Sequence, residues 1–297
     1  MILANERNRA LPEGFDLREC YRIERVLGVG GFAITYLACH AGLDHKVAIK
    51  EYLPRGIATR VEDGATVRST SGEEEAFRWG LARFTEEART LAEFKHPGIV
   101  PVADIFERNG TCYIVMEYLR GESLARLLAR KGTLAERALR TIFDPILGAL
   151  DEVHSHGVLH RDIKPENIHV LRDGGAVLLD FGSSRKARDE KAESLTVVVT
   201  PGYAPNEQYS SQGKQGPWTD IYALGATLYR TVTGSAPPEA PDRALKDEYL
   251  PVATAAKRKY RPKLLAAIDQ ALAIRPEDRP QSVSAFWDIL EIGRAHV

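Results

Sequence analysis

The sequence predicts an α+β protein in two parts, a β-rich first third followed by a mainly helical remainder. One observation is a series of short apolar runs bounded by turn residues: "YRIERVLG" (21–28), "FAITYLA" (32–38), "KVAIKEYL" (46–53) and "GIVPVADIFERNGTCYIVMEYL" (98–119), the last broken by Asn109-Gly110. A second is the one helical stripe among them. In "SGEEEAFRWGLARFTEEARTLAEFK" (71–95), Phe77, Leu81, Phe84, Ala88 and Leu91 recur at spacings of four and three. A third is the change after "RGESL" (120–124), where helical periodicity takes over at about 123–131, 134–156, 218–233, 262–273 and 281–292. The switch divides the chain into a loose lead-in (1–20), an N-terminal lobe (21–118) and a C-terminal lobe (119–297), and ligand sites favour such junctions.

Each element has a local reason. Between 46–53 and the helix, "IATRVEDGATVRS" (57–69) carries Asp63-Gly64 between alternating flanks, the signal of a two-residue hairpin turn. Ser71 and Glu74 have the spacing of a capping box, which starts the helix at 71. The acidic run Glu73–Glu75 suits a first helical turn, where the helix dipole favours negative charge. The glycine-rich "LGVGGFAITYLA" (27–38) is followed by alternating Phe32, Ile34 and Tyr36, hence by a strand. A dinucleotide-binding turn would need a helix there.

Composition narrows the function classes. The 297 residues are 44% hydrophobic and 27% charged, values of an ordinary globular protein with a core large enough to need no staples. Net charge of −1 gives no basic field for nucleic acid. Cys20, Cys39 and Cys112 are scattered and have no metal spacing, as expected of reduced thiols. No apolar run approaches the roughly 18 residues of a membrane span, and "MILANERNRALPEG" is too charged for a signal peptide. The expectation is a cytoplasmic chain, or the cytoplasmic domain of a longer protein, without nucleic-acid or membrane contact.

The stretch "LHRDIKPENIHVLRDGGAVLLDFG" (159–182) sets His160, Arg161, Asp162, Lys164, Glu166, Asn167 and Asp180 among apolar residues. Such charges need partners, ligands or a catalytic role. Folding 167–180 into a hairpin about "RDGG" (172–175) pairs residues whose numbers sum to 347, which brings Asn167 opposite Asp180. An amide oxygen beside a carboxylate suits Mg²⁺, which binds few protein carboxylates and keeps waters. Asp162, five residues before Asn167, reaches the same point from the entering loop. With Lys164 nearby, the set suits phosphoryl transfer.

These motifs resemble the eukaryotic-type (Hanks-type) serine/threonine protein kinases: "HRDIKPEN" (160–167) is similar to their catalytic loop and "DFG" (180–182) to their magnesium loop. "VAIKEYLP" (47–54) and "TPGYAPNEQY" (200–209) look most like bacterial members, and the likeness covers nearly all of 21–292. It implies a bilobal kinase fold, ATP with Mg²⁺ (Mn²⁺ as the alternative), and protein substrates with Ser or Thr. Gly28, Gly30 and Gly31 would let backbone N–H groups approach phosphates. Lys50 would grip the α- and β-phosphates. Glu87, which borders the apolar stripe at Ala88 and precedes "HPGIV" by nine residues, would hold Lys50; Glu86 is the exposed alternative. Backbone groups of Glu117 and Leu119 would read adenine, with Met116 behind it and Leu27, Ala48 and Leu179 as apolar walls. Asp162 would orient the attacking hydroxyl, Lys164 steady the transferred group, and Asn167 and Asp180 hold the metal.

The resemblance further makes 180–207 an activation segment containing Ser194, Thr196 and Thr200. Thr200 would contact Asp162 and Lys164, and Thr196 is the phosphorylation candidate because Arg161 offers a phosphate partner. Glu207 pairing with Arg279, and Asp220 holding the catalytic loop, would be supports. The sequence departs from the family pattern at Ala33, where a third glycine is usual, at Asn206 in place of proline, and at His169 in place of an apolar residue, read here as a neutral packing histidine. A scaffold without activity would lack one of Lys50, Asp162, Asn167 or Asp180, and a small-molecule kinase would lack the "TPGY" segment; the chain has them all. The stretch between Lys50 and Glu87 is long for the family, so 57–69 is read as an inserted hairpin and a regulatory or dimer surface.

Overall fold

The computed structural model describes residues 9–181, 185–186, 199–210, 212–256 and 259–290. Gly182, Ser194 and Thr196 lie outside the described residues. The chain divides into two compact units, Met1–Lys95 with Val100–Leu119, and His96–Ile99 with Arg120–Val297.

The first unit is built on an antiparallel sheet of β1 (Asp16–Leu17), β2 (Tyr21–Val29), β3 (Ala33–His40), β4 (His45–Tyr52), β7 (Val102–Arg108) and β8 (Thr111–Glu117), in the order β1-β2-β3-β4-β8-β7. A separate hairpin, β5 (Ala58–Arg60) with β6 (Val67–Ser69), and one helix, α1 (Glu74–Glu93), complete it. The helix buries Phe77, Phe84, Ala88 and Leu91 of the expected stripe and half-buries Leu81, and Tyr52 of β4 lies against both phenylalanine rings at 5.5 and 5.4 Å. Each such buried phenylalanine or leucine side chain contributes about 1.5–3 kcal/mol relative to exposure.

Three local expectations are corrected in this unit. The lead-in is not loose from Arg9 onward: Leu11 and Leu17 are buried, and β1 pairs with β2. The helix begins at Glu74 without a side-chain cap, because Ser71 and Gly72 are consumed in a turn where Glu73 N donates to Thr70 O at 3.0 Å. The Asp63-Gly64 pair sits in a longer loop than a two-residue turn, since Val61 N donates to Thr66 O at 2.9 Å and the Asp63 carboxylate caps the N–H groups of Ala65 and Thr66 at 2.8 Å.

The second unit is helical around α4 (Pro217–Thr233), which is buried from Thr219 to Tyr229 on every side, as an apolar helix must be. On it pack α7 (Pro262–Ala271) and α8 (Val283–Leu290), and α2 (Leu124–Lys131) and α3 (Glu136–Ser155) belong to the same unit, all close to the expected spans. Two short helices, α5 (Ala240–Leu245) and α6 (Val252–Ala255), have too few turns to show a period and were not expected. A small sheet orders β12 (Ala176–Leu178), β11 (Ile168–Leu171) and β9 (Gly121–Ser123), and β10 (Val158–Leu159) pairs with β13 (Arg185–Lys186).

The β11–β12 register differs from expectation. Partners are Ile168↔Leu178, His169↔Val177 and Val170↔Ala176, a sum of 346 rather than 347. Gly174 adopts φ +95, open to glycine, and the turn closes with Leu171 N donating to Gly175 O at 2.8 Å. The loop is therefore one residue shorter, and Asn167 lies opposite Leu179, whose N–H donates to Asn167 O at 2.8 Å.

Candidate active site

Within the second unit, the segment after β10 is fixed by one buried carboxylate. Asp220 on α4 is fully buried and accepts from His160 N at 2.9 Å and Arg161 N at 2.7 Å, while His154 Nε2 lies 2.8 Å from it. Burial alone would raise the Asp220 pKa, but His154, His160 and the Arg161 N–H outweigh it and hold the carboxyl low. Arg161 has φ +68, a left-handed conformation that costs a non-glycine residue about 1–2 kcal/mol. Asp220 and the side-chain amide of Gln208, which donates to Arg161 O at 2.8 Å, hold it there.

His160 is also fully buried, and burial pushes its pKa down against the pull of Asp220. Its two nitrogens fit the neutral ring: Nδ1 accepts from Asp162 N at 3.3 Å, so Nε2 donates to Leu179 O at 3.1 Å. The ring lies 4.5 Å from that of Phe181, and it ties the loop at 160–162 to the strand end before Asp180.

The groups that this scaffold positions are Asp162, Lys164, Asn167 and Thr200. Lys164 Nζ lies 2.8 Å from Asp162 Oδ2 and donates to Thr200 Oγ1 at 2.9 Å. Thr200 Oγ1 in turn donates to Asp162 Oδ1 at 2.8 Å. Asn167, at the end of a single 3₁₀ turn (Pro165–Asn167), donates its amide to Asp162 O at 2.8 Å and Oδ2 at 2.9 Å. The Asn167 amide nitrogen thus faces Asp162, and its oxygen is the acceptor end. Asp180 follows Leu179 at φ +60. Asp162 and Lys164 keep about a fifth of their side-chain surface exposed, enough for a substrate to reach.

Supports lie further along. Arg279 makes a two-pronged contact with Glu207, at 2.7 and 3.3 Å, both buried, and Thr219 Oγ1 donates to the same carboxylate at 3.0 Å. Arg–carboxylate pairs of this geometry are among the stronger ones. His169 pairs with Ser123, and its Nε2 would stand 2.8 Å from a Cβ placed on Gly121, so it packs against β9.

In the first unit, Lys50 stands on β4 between Thr35 of β3 and Ile114 of β8. Its Nζ lies 3.8 Å from Glu87 Oε1 and 5.6 Å from the Phe84 ring centre. Both side chains are nearly buried, whereas Glu86 pairs with Arg83 at an exposed site. Ala48 and Met116 are cross-strand partners. Glu117 N donates to Pro101 O at 3.1 Å. Leu27 and Gly28 lie at a β2 bulge. The following loop is tethered by Gly30 N to Ala33 O at 2.8 Å and by Arg55 N to Gly31 O at 2.8 Å, with Phe32 exposed between. Leu119 closes this unit.

His154 and Gln208 were missed by the sequence reading. Their only signal was a polar residue recurring in an apolar neighbourhood, which many surface residues imitate. Among the described residues no three His, Cys, Asp or Glu side chains gather as a metal cluster. The donor set that remains, one amide oxygen and one carboxylate, fits a hard divalent cation that draws its other ligands from water and phosphate.

The sequence model of the protein kinase domain matches residues 21–286, and the chain belongs to that family. It is 31% identical over 284 residues to the serine/threonine-protein kinase PknA of Nostoc sp., covering 92% of this chain and 47% of that protein. It is 32% identical over 263 residues to the serine/threonine-protein kinase PknE of Mycobacterium tuberculosis, covering 87% and 43%. The chain thus spans somewhat under half the length of these curated relatives. A solved structure described as the apo form of PpkA-294 matches with TM-score 0.84 and 38% identity over 95% of this chain and 99% of that one. The fold is the protein kinase fold, mixed α and β, with a sheet-rich first unit and a helical second. Domains of this family use ATP and a divalent cation and act on proteins. No helix among the described residues is long and apolar enough to cross a membrane.

Proposed function

We propose that the chain is an ATP- and Mg²⁺-dependent protein serine/threonine kinase of bacterial signalling. The observation that carries this reading is the Asp162–Lys164–Thr200 constellation, with Asn167 locked onto Asp162. In the proposed reaction Asp162 orients the incoming Ser or Thr hydroxyl and accepts its proton late, while Lys164 steadies the transferred phosphoryl group. Thr200 hands a substrate segment to both. Lys50, kept in place by Glu87, binds the nucleotide phosphates, beneath Gly28, Gly30 and Gly31, and Leu27, Ala48, Met116, Glu117, Leu119 and Leu179 receive the base. Asn167 and Asp180 would hold Mg²⁺, whose role is to neutralise charge across the phosphates. Positioning and electrostatics carry this chemistry, since the protein forms no covalent bond to the phosphoryl group.

The serine/threonine assignment is supported by the names of the relatives and by Lys164 standing two residues after Asp162. Thr196 is the proposed phosphorylation site, in a segment that also contains Ser194, within a cytoplasmic domain that modifies itself as well as its substrate. Incubation with ATP and Mg²⁺ followed by mass spectrometry tests the reading. Phosphate on Ser or Thr, of this chain or of an added basic protein, supports it. Absence of any label rejects it, and label on Tyr alone rejects the residue class.

A further inference from the structure

Glu51 is a charge on the wrong face of its strand. Along β4, Val47, Ile49 and Glu51 alternate inward, and Glu51 is 0% exposed. A buried carboxylate is tolerated only when it is paired and hydrogen-bonded. Arg60 of β5, itself 3% exposed, donates to Glu51 Oε2 at 2.5 Å. The Tyr36 hydroxyl donates to the same oxygen at 2.6 Å and the Tyr113 hydroxyl to Oε1 at 2.8 Å. Burial and the Glu51 charge raise both phenol pKa values, so both remain donors.

Arg60 reaches further. Its Nε donates to Arg9 O at 2.8 Å and another nitrogen to Ala65 O at 2.6 Å, so it closes its own hairpin and binds the incoming chain. Arg9 donates to Leu53 O at 3.1 Å and Pro54 O at 3.3 Å, and Leu11 N to the Tyr36 hydroxyl at 3.1 Å. The hairpin also joins β7–β8 through Val67 N and Asn109 O at 2.7 Å.

The hairpin runs into α1 with little slack. Thr70, directly after β6, is fixed by its N–H to Ile57 O at 2.8 Å and its hydroxyl to Gly56 O at 2.9 Å, and Thr70 O receives Glu73 N at 3.0 Å. Helix α1 starts at Glu74 and carries Glu87. Glu51 is bonded in sequence to Lys50, whose side chain takes the opposite face of β4 beside Phe84 of α1. One carboxylate therefore joins the strand that presents Lys50 to the arm that seats the helix presenting Glu87.

We propose that Glu51 and Arg60 are positioning residues of the phosphotransfer reaction: their buried pair locks β4, the hairpin and the start of α1 into one body, and so keeps Glu87 against Lys50. The inserted hairpin is then a fixed strut of the Lys50–Glu87 pair. This rests on the kinase reading given above.

The test is the kinetics of Arg60→Met, Arg60→Lys, Glu87→Gln and Arg60→Met/Glu87→Gln, with circular dichroism at the assay temperature to count folded molecules. Arg60→Met should lower kcat per folded molecule about tenfold or more at saturating ATP and leave KM for the protein substrate within about twofold, the split of a misplaced catalytic group. Arg60→Lys, which keeps the charge, should recover most of that loss. Because Arg60 acts through Glu87, the double variant should be no slower than Glu87→Gln alone. A kcat per folded molecule within about twofold of wild type in Arg60→Met, or losses that multiply in the double variant, overturns the proposal. Should Arg60→Met not fold, amide exchange on the unaltered chain decides. Residues 58–69 and 74–93 should open together, and a hairpin exchanging about a hundredfold faster than the helix overturns the strut. If wild type itself transfers no phosphate, the kinase reading fails, and the exchange measurement still judges the clasp.

Discussion

Replacing Asp220 by Asn keeps the shape of the side chain and removes its charge, which isolates what that charge does. Asp220 takes two backbone N–H donors, from His160 and Arg161, and one histidine nitrogen, from His154, at 2.7–2.9 Å in a fully buried site. A hydrogen bond to a charged group contributes about 1.5–3 kcal/mol against about 0.5–1.5 for a neutral one, so each of these contacts loses roughly 1 kcal/mol. The new amide also points a donor at donors, which leaves one unsatisfied at about 1–3 kcal/mol. The sum is about 4–6 kcal/mol of local stability, or roughly three to four decades in the opening equilibrium, at about 1.4 kcal/mol per decade. Arg161, no longer held at φ +68, relaxes from its left-handed conformation. Amide exchange read residue by residue is the assay, with the His160 and Arg161 amides expected to exchange faster by about three to four decades, at about 1.4 kcal/mol each. Unchanged exchange at those two amides in a folded Asp220→Asn chain would refute the claim that this carboxylate holds the loop.

Two further expectations concern the second unit. Gly98 has no room for a side chain: a Cβ there would stand 2.2 Å from Pro145 O on α3. Gly98→Ala should cost about 1–3 kcal/mol by overpacking, read as a lower melting temperature and faster exchange at Leu178, whose N–H bonds Gly98 O; an unshifted melt contradicts the packing. Acid should also destabilise the chain. His160 is held neutral by burial, its pKa below the ordinary value, so below pH about 6.5 the unfolded chain binds a proton that the folded one refuses, and stability falls by about 1.4 kcal/mol per pH unit. Asp220, whose pKa is lowered, adds its own loss as pH falls below its ordinary 3.8. In urea titrations from pH 5 to 7.5, His160→Gln should flatten the first of these slopes by about one proton, and an unchanged slope assigns the proton elsewhere.

The groups at 160–180 could be read before any geometry, because they sit close together in sequence. The alternation in "VAIK" placed Lys50 on a strand, and the stripe ending at Ala88 and Leu91 pointed to Glu87 rather than Glu86, as the buried and exposed ion pairs now separate them. What failed depended on turns. The pairing of Asn167 with Asp180 assumed a four-residue loop, while Gly174 closes a shorter one, and a slip of one residue changed which group Asn167 faces. Ser71 matched a cap by spacing alone, and a turn from Thr70 to Glu73 took its place. Glu51 carried a signal that went unread: it shares a face with Val47 and Ile49, but the partner that makes burial tolerable, Arg60, comes from a hairpin whose docking no local pattern reports.

The central claim is that Asp162, aimed by Thr200, Lys164 and Asn167, is the group that prepares a hydroxyl for phosphoryl transfer. The most direct measurement compares wild type with Asp162→Asn in steady-state transfer of radiolabelled phosphate from ATP to a basic protein, with nucleotide affinity measured alongside. The expected result is a fall in kcat of about a hundredfold or more, the range of general-base removal, with ATP affinity within about threefold. Equal turnover by the two proteins would contradict the account.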